Sequence, residues 1–347
     1  MAALKLGTRG SPLALFQAHE VAGLLQSRAG VACDIVVIKT SGDRLAEAPL
    51  AQIGGKRLFV KEIEDALIGG AIDLAVHSSK DMPASLPPDL ALGAVLPRED
   101  ARDAVVLPAL SAVEGPAVSG VEGPAMGRVE GPGGDTLPLT LEDVGRRLGR
   151  APRIGTSSVR RTAQLIRLFP EAQFAPVRGN LDTRLRKLDA GEFDALVLAA
   201  AGLIRLGHER RISAALPPET CVPAPGQGII AVEIRGNDAT THDIVKTIDD
   251  PVAAAALTAE RAVVTRLGGG CQMPIGAYAI ASDEGLVLTA IVVSVDGARR
   301  AHTETRGPIA NAEGVGAEAA EQLLACGAAD ILAEVDRART GVGGLQP

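Results

Sequence analysis

Leu4-Lys5-Leu6-Gly7-Thr8-Arg9-Gly10-Ser11-Pro12-Leu13-Ala14-Leu15 holds an apolar strand, a sharp break and the start of a helix in a dozen residues. Residues 4–8 read as a short strand. Ser11 and Pro12 then supply an N-cap and a first helical residue, and Leu15, Val21, Leu24 and Leu25 fall on one stripe, which predicts a helix over 13–26. The same order recurs downstream, with a strand over 34–39, a helix over 60–68, and a strand over 72–77 that runs into Ser78-Ser79-Lys80-Asp81. Strands alternating with helices predict an α/β layer structure.

A second α/β unit follows, with strands over 153–155, 174–177 and 195–200 and helices over 158–169 and 181–188. Beyond Pro223-Ala224-Pro225-Gly226-Gln227-Gly228 the β-branched run 229–234 is a strand free to return to the sheet of the first unit. The last part reads as a helix from Pro251, strands over 276–281, 286–294 and 302–306, and one long closing helix. The expected division is therefore a discontinuous first lobe (1–102 with 229–246), a second lobe (103–222) and a smaller α+β domain (251–336). Between 108 and 138 the composition collapses to Gly, Pro, Ala, Val and Glu, with Val-Glu-Gly-Pro starting at Val113, Val121 and Val129. Such a tract buries too little apolar surface to offset chain entropy, so a mobile insertion is expected there, and a disordered tail over 337–347.

The chain has 347 residues, 46% of them apolar, and a net charge of -7, with one Tyr and no Trp. A nucleic-acid surface needs a basic field and stacking platforms, and neither is present. No stretch reaches the roughly 18 apolar residues of a membrane span, and residues 1–9 lack a signal-type apolar run, so a cytoplasmic, unexported protein is expected. Cys33, Cys221, Cys271 and Cys326 lie far apart without a Cys-x-x-Cys pair, and the five histidines lack zinc-ligand spacing, so free thiols and no metal are expected.

Arginine outnumbers lysine 28 to 7, so position rather than abundance carries the argument. Four junctions combine hydroxyls, glycine and cations where strands end: Thr8-Arg9-Gly10-Ser11, Ser78-Ser79-Lys80-Asp81, Thr156-Ser157-Ser158-Val159-Arg160-Arg161, and Arg178-Gly179-Asn180 with Arg184 one turn later. Helix starts ordinarily favour acids, so cations there call for an anionic ligand. Ligands of open α/β lobes lie at the carboxyl ends of strands, where these junctions fall, and guanidinium groups grip carboxylates in pairs of bonds. Asp81 stands out as an acid among cations, which keep it ionised and able to stabilise positive charge in a reaction. Cys271 follows Gly268-Gly269-Gly270, which leaves room for close approach to its sulfur. With no Lys or His adjacent, it fits permanent attachment better than turnover as a nucleophile. Gly226-Gln227-Gly228-Ile229-Ile230-Ala231 mimics a dinucleotide fingerprint, but a strand rather than a helix follows.

Together these segments, with Gly54-Gly55-Lys56-Arg57-Leu58-Phe59 and Gly270-Cys271-Gln272, resemble the porphobilinogen deaminase (hydroxymethylbilane synthase) family over nearly the whole chain outside 108–138. The resemblance implies two α/β lobes shaped like those of solute-binding proteins plus a third domain. It also implies a dipyrromethane cofactor thioether-linked to Cys271, no metal, and a monomer acting on porphobilinogen in tetrapyrrole biosynthesis. By the same resemblance Asp81 is the catalytic carboxylate, Lys80, Asp81, Thr156, Ser158, Arg160, Arg161 and Arg184 hold the cofactor, and Arg9, Ser11, Arg178 and Arg184 meet the substrate. Loss of ammonia from porphobilinogen leaves an electron-poor azafulvene whose charge Asp81 stabilises. Four condensations onto the primer precede hydrolysis to the linear tetrapyrrole. Arg57 stands where the family often has a small residue, in a glycine-hinged segment expected to act as a lid. The competing expectations are a non-catalytic two-lobed binder of small polycarboxylates and a cysteine acyltransferase using His77 as its base.

Overall fold

The computed structural model describes residues 3–44, 60–109, 139–270, 272–282 and 284–341. In chain order the first part contains β1 (Leu4–Thr8), α1 (Pro12–Ala29), β2 (Cys33–Val37), the single-turn α2 (Ser41–Arg44), α3 (Lys61–Ile68), β3 (Leu74–Ser78) and β4 (Leu90–Val95). Next come β5 (Asp103–Val106), α4 (Leu141–Leu148), β6 (Arg153–Gly155), α5 (Val159–Leu165), β7 (Gln173–Ala175), α6 (Leu181–Asp189), β8 (Ala195–Ala199), α7 (Ala200–Arg205) and β9 (Ala214–Leu216). The chain then runs through β10 (Ile230–Arg235), α8 (Ala239–Lys246), α9 (Pro251–Arg266), β11 (Ile275–Ser282), β12 (Gly285–Val293), β13 (Arg300–Gly307), α10 (Ala312–Ala325) and α11 (Ala328–Gly341).

Two five-stranded sheets share one topology. The first has the order β2-β1-β3-β10-β4 and the second β7-β6-β8-β5-β9. In each, three parallel strands are followed by an antiparallel strand next to the last parallel one: β10 against β3 in the first sheet, β5 against β8 in the second. Each of those antiparallel strands begins just after the chain has crossed from the other sheet, so two crossings tie the lobes together. Both sheets are covered on two faces, as parallel sheets require. In the first, Leu6, Val21, Leu25, Leu74 and Val232 pack on one side and Ile63, Leu67 and Ile72 on the other.

Local signals explain the start of the first lobe. Ser11 Oγ accepts a hydrogen bond from Ala14 N at 3.3 Å, Pro12 is the first helical residue, and Gly30 closes α1 at φ +68°. A cap of this kind is worth about 1 kcal/mol. The second crossing depends on glycine. Gly226 and Gly228 have φ of +73° and +87°, and a Cβ at Gly226 would meet Ser79 Oγ at 2.6 Å, one at Gly228 the Glu99 carbonyl oxygen at 2.3 Å. The strand β10 that follows removes any dinucleotide-binding role from this segment.

The third part is a meander, β11-β12-β13, covered by α9, α10 and α11 around a core that includes Val263, Leu288, Ala319 and Leu323. Its attachment is a buried ionic knot. Arg98 donates to Glu260 at 2.8 Å and to the Ala279 carbonyl at 3.1 Å, and the Glu260 carboxylate also accepts from Gly226 N and Ala279 N, each at 2.7 Å. Glu260 on α9 thus grips the second crossing and β11 at once.

Besides the elements that the sequence reading left out (α2, α4, α7, α8, β4, β5 and β9), the structure departs from the expectations in three helical segments. The one long closing helix is two, α10 and α11, because Gly327 takes φ +87° between them. The helix expected over 158–169 ends at Leu165, with turns carrying the chain to Pro170. Finally, α11 continues to Gly341 where order was expected to stop at 336. The insertion over 110–138 and the glycine-hinged segment 45–59 with Arg57 lie outside the described residues, as do 342–347.

Candidate active site

All four junctions sit at the carboxyl ends of parallel strands: residues 8–11 after β1, 78–81 after β3, 156–161 after β6 and 178–184 beyond β7. A recess in the first lobe is lined by Arg9, Ser11, Leu13, Ala14, Gln17, Val60, Val76, His77, Ser78 and Asp81. The substrate-side residues Arg9 and Ser11 and the carboxylate Asp81 are therefore brought to one place. Asp81 closes a single 3-10 turn, Ser79–Asp81, and its side chain is exposed. His77 is not available as a base, since its Nε2 lies 3.1 Å from Glu233 Oε2 with both groups buried in the sheet.

The cations converge from both lobes. Lys80 reaches Gln227 Oε1 at 3.4 Å. Its pKa is lowered to about 8, first by burial and then by Arg161 and Arg160, against the opposing fields of Asp81 and Asp103. Arg184 is lowered by burial and by the charges of Arg161 and Arg178, with Asp81 opposing. Lys80, Arg160, Arg161, Arg178 and Arg184 thus share one electrostatic neighbourhood, in which Asp81 and Asp103 are the acids whose fields oppose them among the described residues. Such a surplus is stabilised by bound anions.

Not every expected donor faces outward. Arg160 and Arg161 are buried on Asp103. Arg160 Nη1 donates to Asp103 Oδ2 at 2.8 Å and to the Val222 carbonyl at 2.6 Å, while Arg161 Nε donates to Asp103 Oδ1 at 2.9 Å and Nη1 to the Val197 carbonyl at 2.8 Å. Thr156 is buried, and its Oγ1 accepts from Ser158 N at 3.3 Å. Ser158 caps α5 by accepting from Arg161 N. Arg184 Nε donates to the Gly179 carbonyl at 2.9 Å. Cys271 lies outside the described residues.

Sequence reading missed Gln17, Asp103, Gln227 and Glu260. Gln17 bonds Ser78 at 2.9 Å beside the recess, a contact across 61 residues that no local sequence signal announces. Asp103 stands in the charged run Arg98-Glu99-Asp100-Ala101-Arg102-Asp103, which reads as a solvated turn.

A family model described as "Porphobilinogen deaminase, dipyromethane cofactor binding domain" matches residues 4–130 and 134–243, and one described as "Porphobilinogen deaminase, C-terminal domain" matches 254–325. The chain belongs to the porphobilinogen deaminase family. Its relatives include the porphobilinogen deaminases of Geobacter metallireducens, 43% identical over 96% of this chain and 94% of that protein, and of Syntrophotalea carbinolica, 42% identical over 96% of each. That of Syntrophobacter fumaroxidans is 40% identical over 96% of this chain and 98% of its own. Among solved structures, the VFT2 domain of Bordetella pertussis BvgS matches 71% of this chain and 86% of its own at 16% identity and a TM-score of 0.38.

As a member of this family the chain is a transferase of tetrapyrrole biosynthesis that joins porphobilinogen units with loss of ammonia, and its first two lobes form a dipyrromethane cofactor binding domain. The non-catalytic binder is set aside. The residues present fit such a group, because a pyrrole pair bearing acid side chains is the kind of ligand that surplus cations at Lys80, Arg178 and Arg184 accommodate. Among the described residues no cluster of His, Cys, Asp or Glu has the make-up of a metal site, and no helix is long and apolar enough to cross a membrane.

Proposed function

We propose that the chain condenses four porphobilinogen molecules head to tail on a dipyrromethane held through Cys271 and releases hydroxymethylbilane, with Asp81 as its catalytic carboxylate. The observation that carries this assignment is the convergence of Asp81 with Arg9 and Ser11 on one side and with Lys80, Arg161, Arg178 and Arg184 on the other. When bound, the cofactor supplies the nucleophilic ring carbon that receives each unit.

Arg9, Ser11, Arg178 and Arg184 bind the carboxylates of incoming porphobilinogen and orient its aminomethyl carbon toward the primer. Lys80, Arg161 and Arg184 hold carboxylates of the cofactor, with Arg160, Thr156 and Ser158 bracing the α5 junction. Asp81, exposed in the recess, faces the positive charge that develops as ammonia departs and lowers the barrier to its formation. Each added ring brings two more carboxylates to a fixed set of cations, so the two lobes shift or the chain slides as it grows.

Attachment at Cys271 is supported by the state of two other thiols. Burial raises Cys33 to about 11 and, with Asp103 adding to it, Cys221 to about 12, so neither is a ready nucleophile. Arg261 on α9 donates to the Ala84 carbonyl at 2.7 Å, which brings the helix leading to Cys271 against the loop that carries Asp81. We further read the chain as a cytoplasmic monomer with domains 1–102 plus 229–246, 103–222 and 251–336. Free thiols at Cys33, Cys221 and Cys326 fit a reducing compartment.

The direct test is incubation of the purified protein with porphobilinogen while ammonia and linear tetrapyrrole are measured. Both accumulate in a ratio of about four to one by the stoichiometry proposed; no ammonia release from cofactor-loaded protein refutes the assignment.

Lys80 gives a pH-dependent prediction. Its pKa near 8 means that the amine is largely neutral above that pH, whereas a bound carboxylate favours the ammonium and raises the pKa again. Binding of a pyrrole with acetate and propionate arms but no aminomethyl group should therefore take up between about half and three-quarters of a proton at pH 8.5 and almost none at pH 6.5. Calorimetry in buffers of different ionisation enthalpy reads this uptake. Equal values at the two pH values would remove Lys80 from the carboxylate site.

A further inference from the structure

Asp103 is the most heavily bonded side chain near the site, and nothing in the chemistry above uses it. Its side chain is fully buried at the start of β5, immediately after the first crossing between lobes. Burial alone would raise its pKa, but the guanidinium groups of Arg160 and Arg161 outweigh that and hold it well below the usual carboxylate range. Gln227 Nε2, on the second crossing, donates to Asp103 Oδ1 at 2.9 Å and to the Ala101 carbonyl at 2.6 Å. Cys221 Sγ adds a contact of 3.3 Å to Oδ2. One carboxylate therefore joins both crossings to two consecutive arginines of α5.

Two features of this knot matter for ligand binding. First, Asp103 cancels one of the two buried guanidinium charges, so the pair carries a net single positive charge rather than two that repel. Second, the planar fork of each arginine is locked: Arg160 by Asp103 and the Val222 carbonyl, Arg161 by Asp103 and the Val197 carbonyl. A guanidinium whose orientation is preset loses less freedom when it meets a ligand carboxylate. The field of Arg161 reaches both Lys80 and Arg184, so the knot is coupled electrostatically to the rest of the cluster.

We infer that Asp103 is a positioning residue for cofactor capture: through Arg160 and Arg161, and with Gln227, it presets the carboxylate grip of the second lobe relative to both crossings. This rests on the reading that the cluster holds a dipyrromethane. Removing the charge by Asp103→Asn leaves two buried guanidinium groups without their counter-ion and less firmly aimed, whereas Asp103→Glu keeps the charge.

The test uses full-length protein at temperatures well below unfolding. Intact mass gives the fraction carrying dipyrromethane after expression, and incubation of the unloaded fraction with porphobilinogen gives the rate of loading. Asp103→Asn should load at least ~10-fold more slowly than wild type, as expected for a misaimed binding group, while Asp103→Glu recovers much of the rate. A cooperatively folded Asp103→Asn protein that loads at the wild-type rate, whatever its melting temperature, makes the role merely structural and overturns the inference. Should Asp103→Asn fail to fold, Gln227→Met decides: it keeps all three charges but removes a donor to Asp103 together with an acceptor of Lys80, so it should slow loading roughly threefold or more in a Lys80→Met background as well as alone. Wild-type loading by that variant counts against the inference. Wild-type protein that never acquires a dipyrromethane, by contrast, defeats the reading of the site itself.

Discussion

Cys271→Ala protein is expected to show the mass of the bare polypeptide and no measurable conversion of porphobilinogen. The effect is close to all-or-none because the primer is held covalently. A non-covalent primer would have to be held by the carboxylate grip alone, and each elongation weakens that grip as further acid groups compete for the same cations. A thioether removes the problem by keeping the primer at an effective concentration no free ligand reaches. Cys33 and Cys221 cannot take over, being held as thiols by burial. Wild-type protein should in turn carry the added mass of one dipyrromethane. Full activity in protein of unmodified mass would end the assignment of Cys271 and of the covalent mechanism together.

The second large effect is at Asp81. Asp81→Ala should lower kcat by at least ~10²-fold, corresponding to roughly 2.7–4 kcal/mol for loss of one preorganised electrostatic group. The loss should fall on kcat rather than KM, because Asp81 acts on charge that develops during ammonia loss, while Arg9, Ser11 and the arginines of the second lobe hold the ground-state carboxylates. Asp81 carries out this role among cations, with Lys80 and Arg184 both lying within its field. Asp81→Asn separates charge from size and should resemble the alanine variant. Single-turnover measurement of ammonia release from loaded protein checks both. Near-normal release in either variant would show that another group meets the developing charge.

Much of this site can be read before any coordinates. The strand-to-helix break at Thr8–Pro12 is a local matter: a β-branched end, a glycine, a capping serine and a proline specify it within a few residues, and β1 and α1 appear with Ser11 in the capping position. The return of β10 to the first sheet was also legible, since a β-branched run after a Pro/Gly crossing has few other places to be buried. Arg160 and Arg161 show where such reading stops. Their spacing from Ser158 identifies the junction correctly, yet says nothing about how many of their donors remain for a ligand. Asp103, 57 residues earlier for Arg160, takes those donors only because β5 is inserted between β8 and β9 and turns its first side chain inward. The break between α10 and α11 was missed for a simpler reason, as apolar residues continue on both sides of Gly327 and hide the left-handed turn there.

What the amino-acid order alone determined is the grammar of the two lobes, the four cation-bearing junctions and the kinds of group they contain, because periodicity, capping and turn chemistry act over a few neighbouring residues. What only the tertiary structure decided is which charges meet. The pairing of Asp103 with two arginines, the grip of Glu260 on the second crossing and the common field around Lys80 all join residues far apart in sequence. Such encounters are set by strand order and by the cost of burying a charge without a partner, which makes the packed interior select one arrangement from the many that local pattern permits.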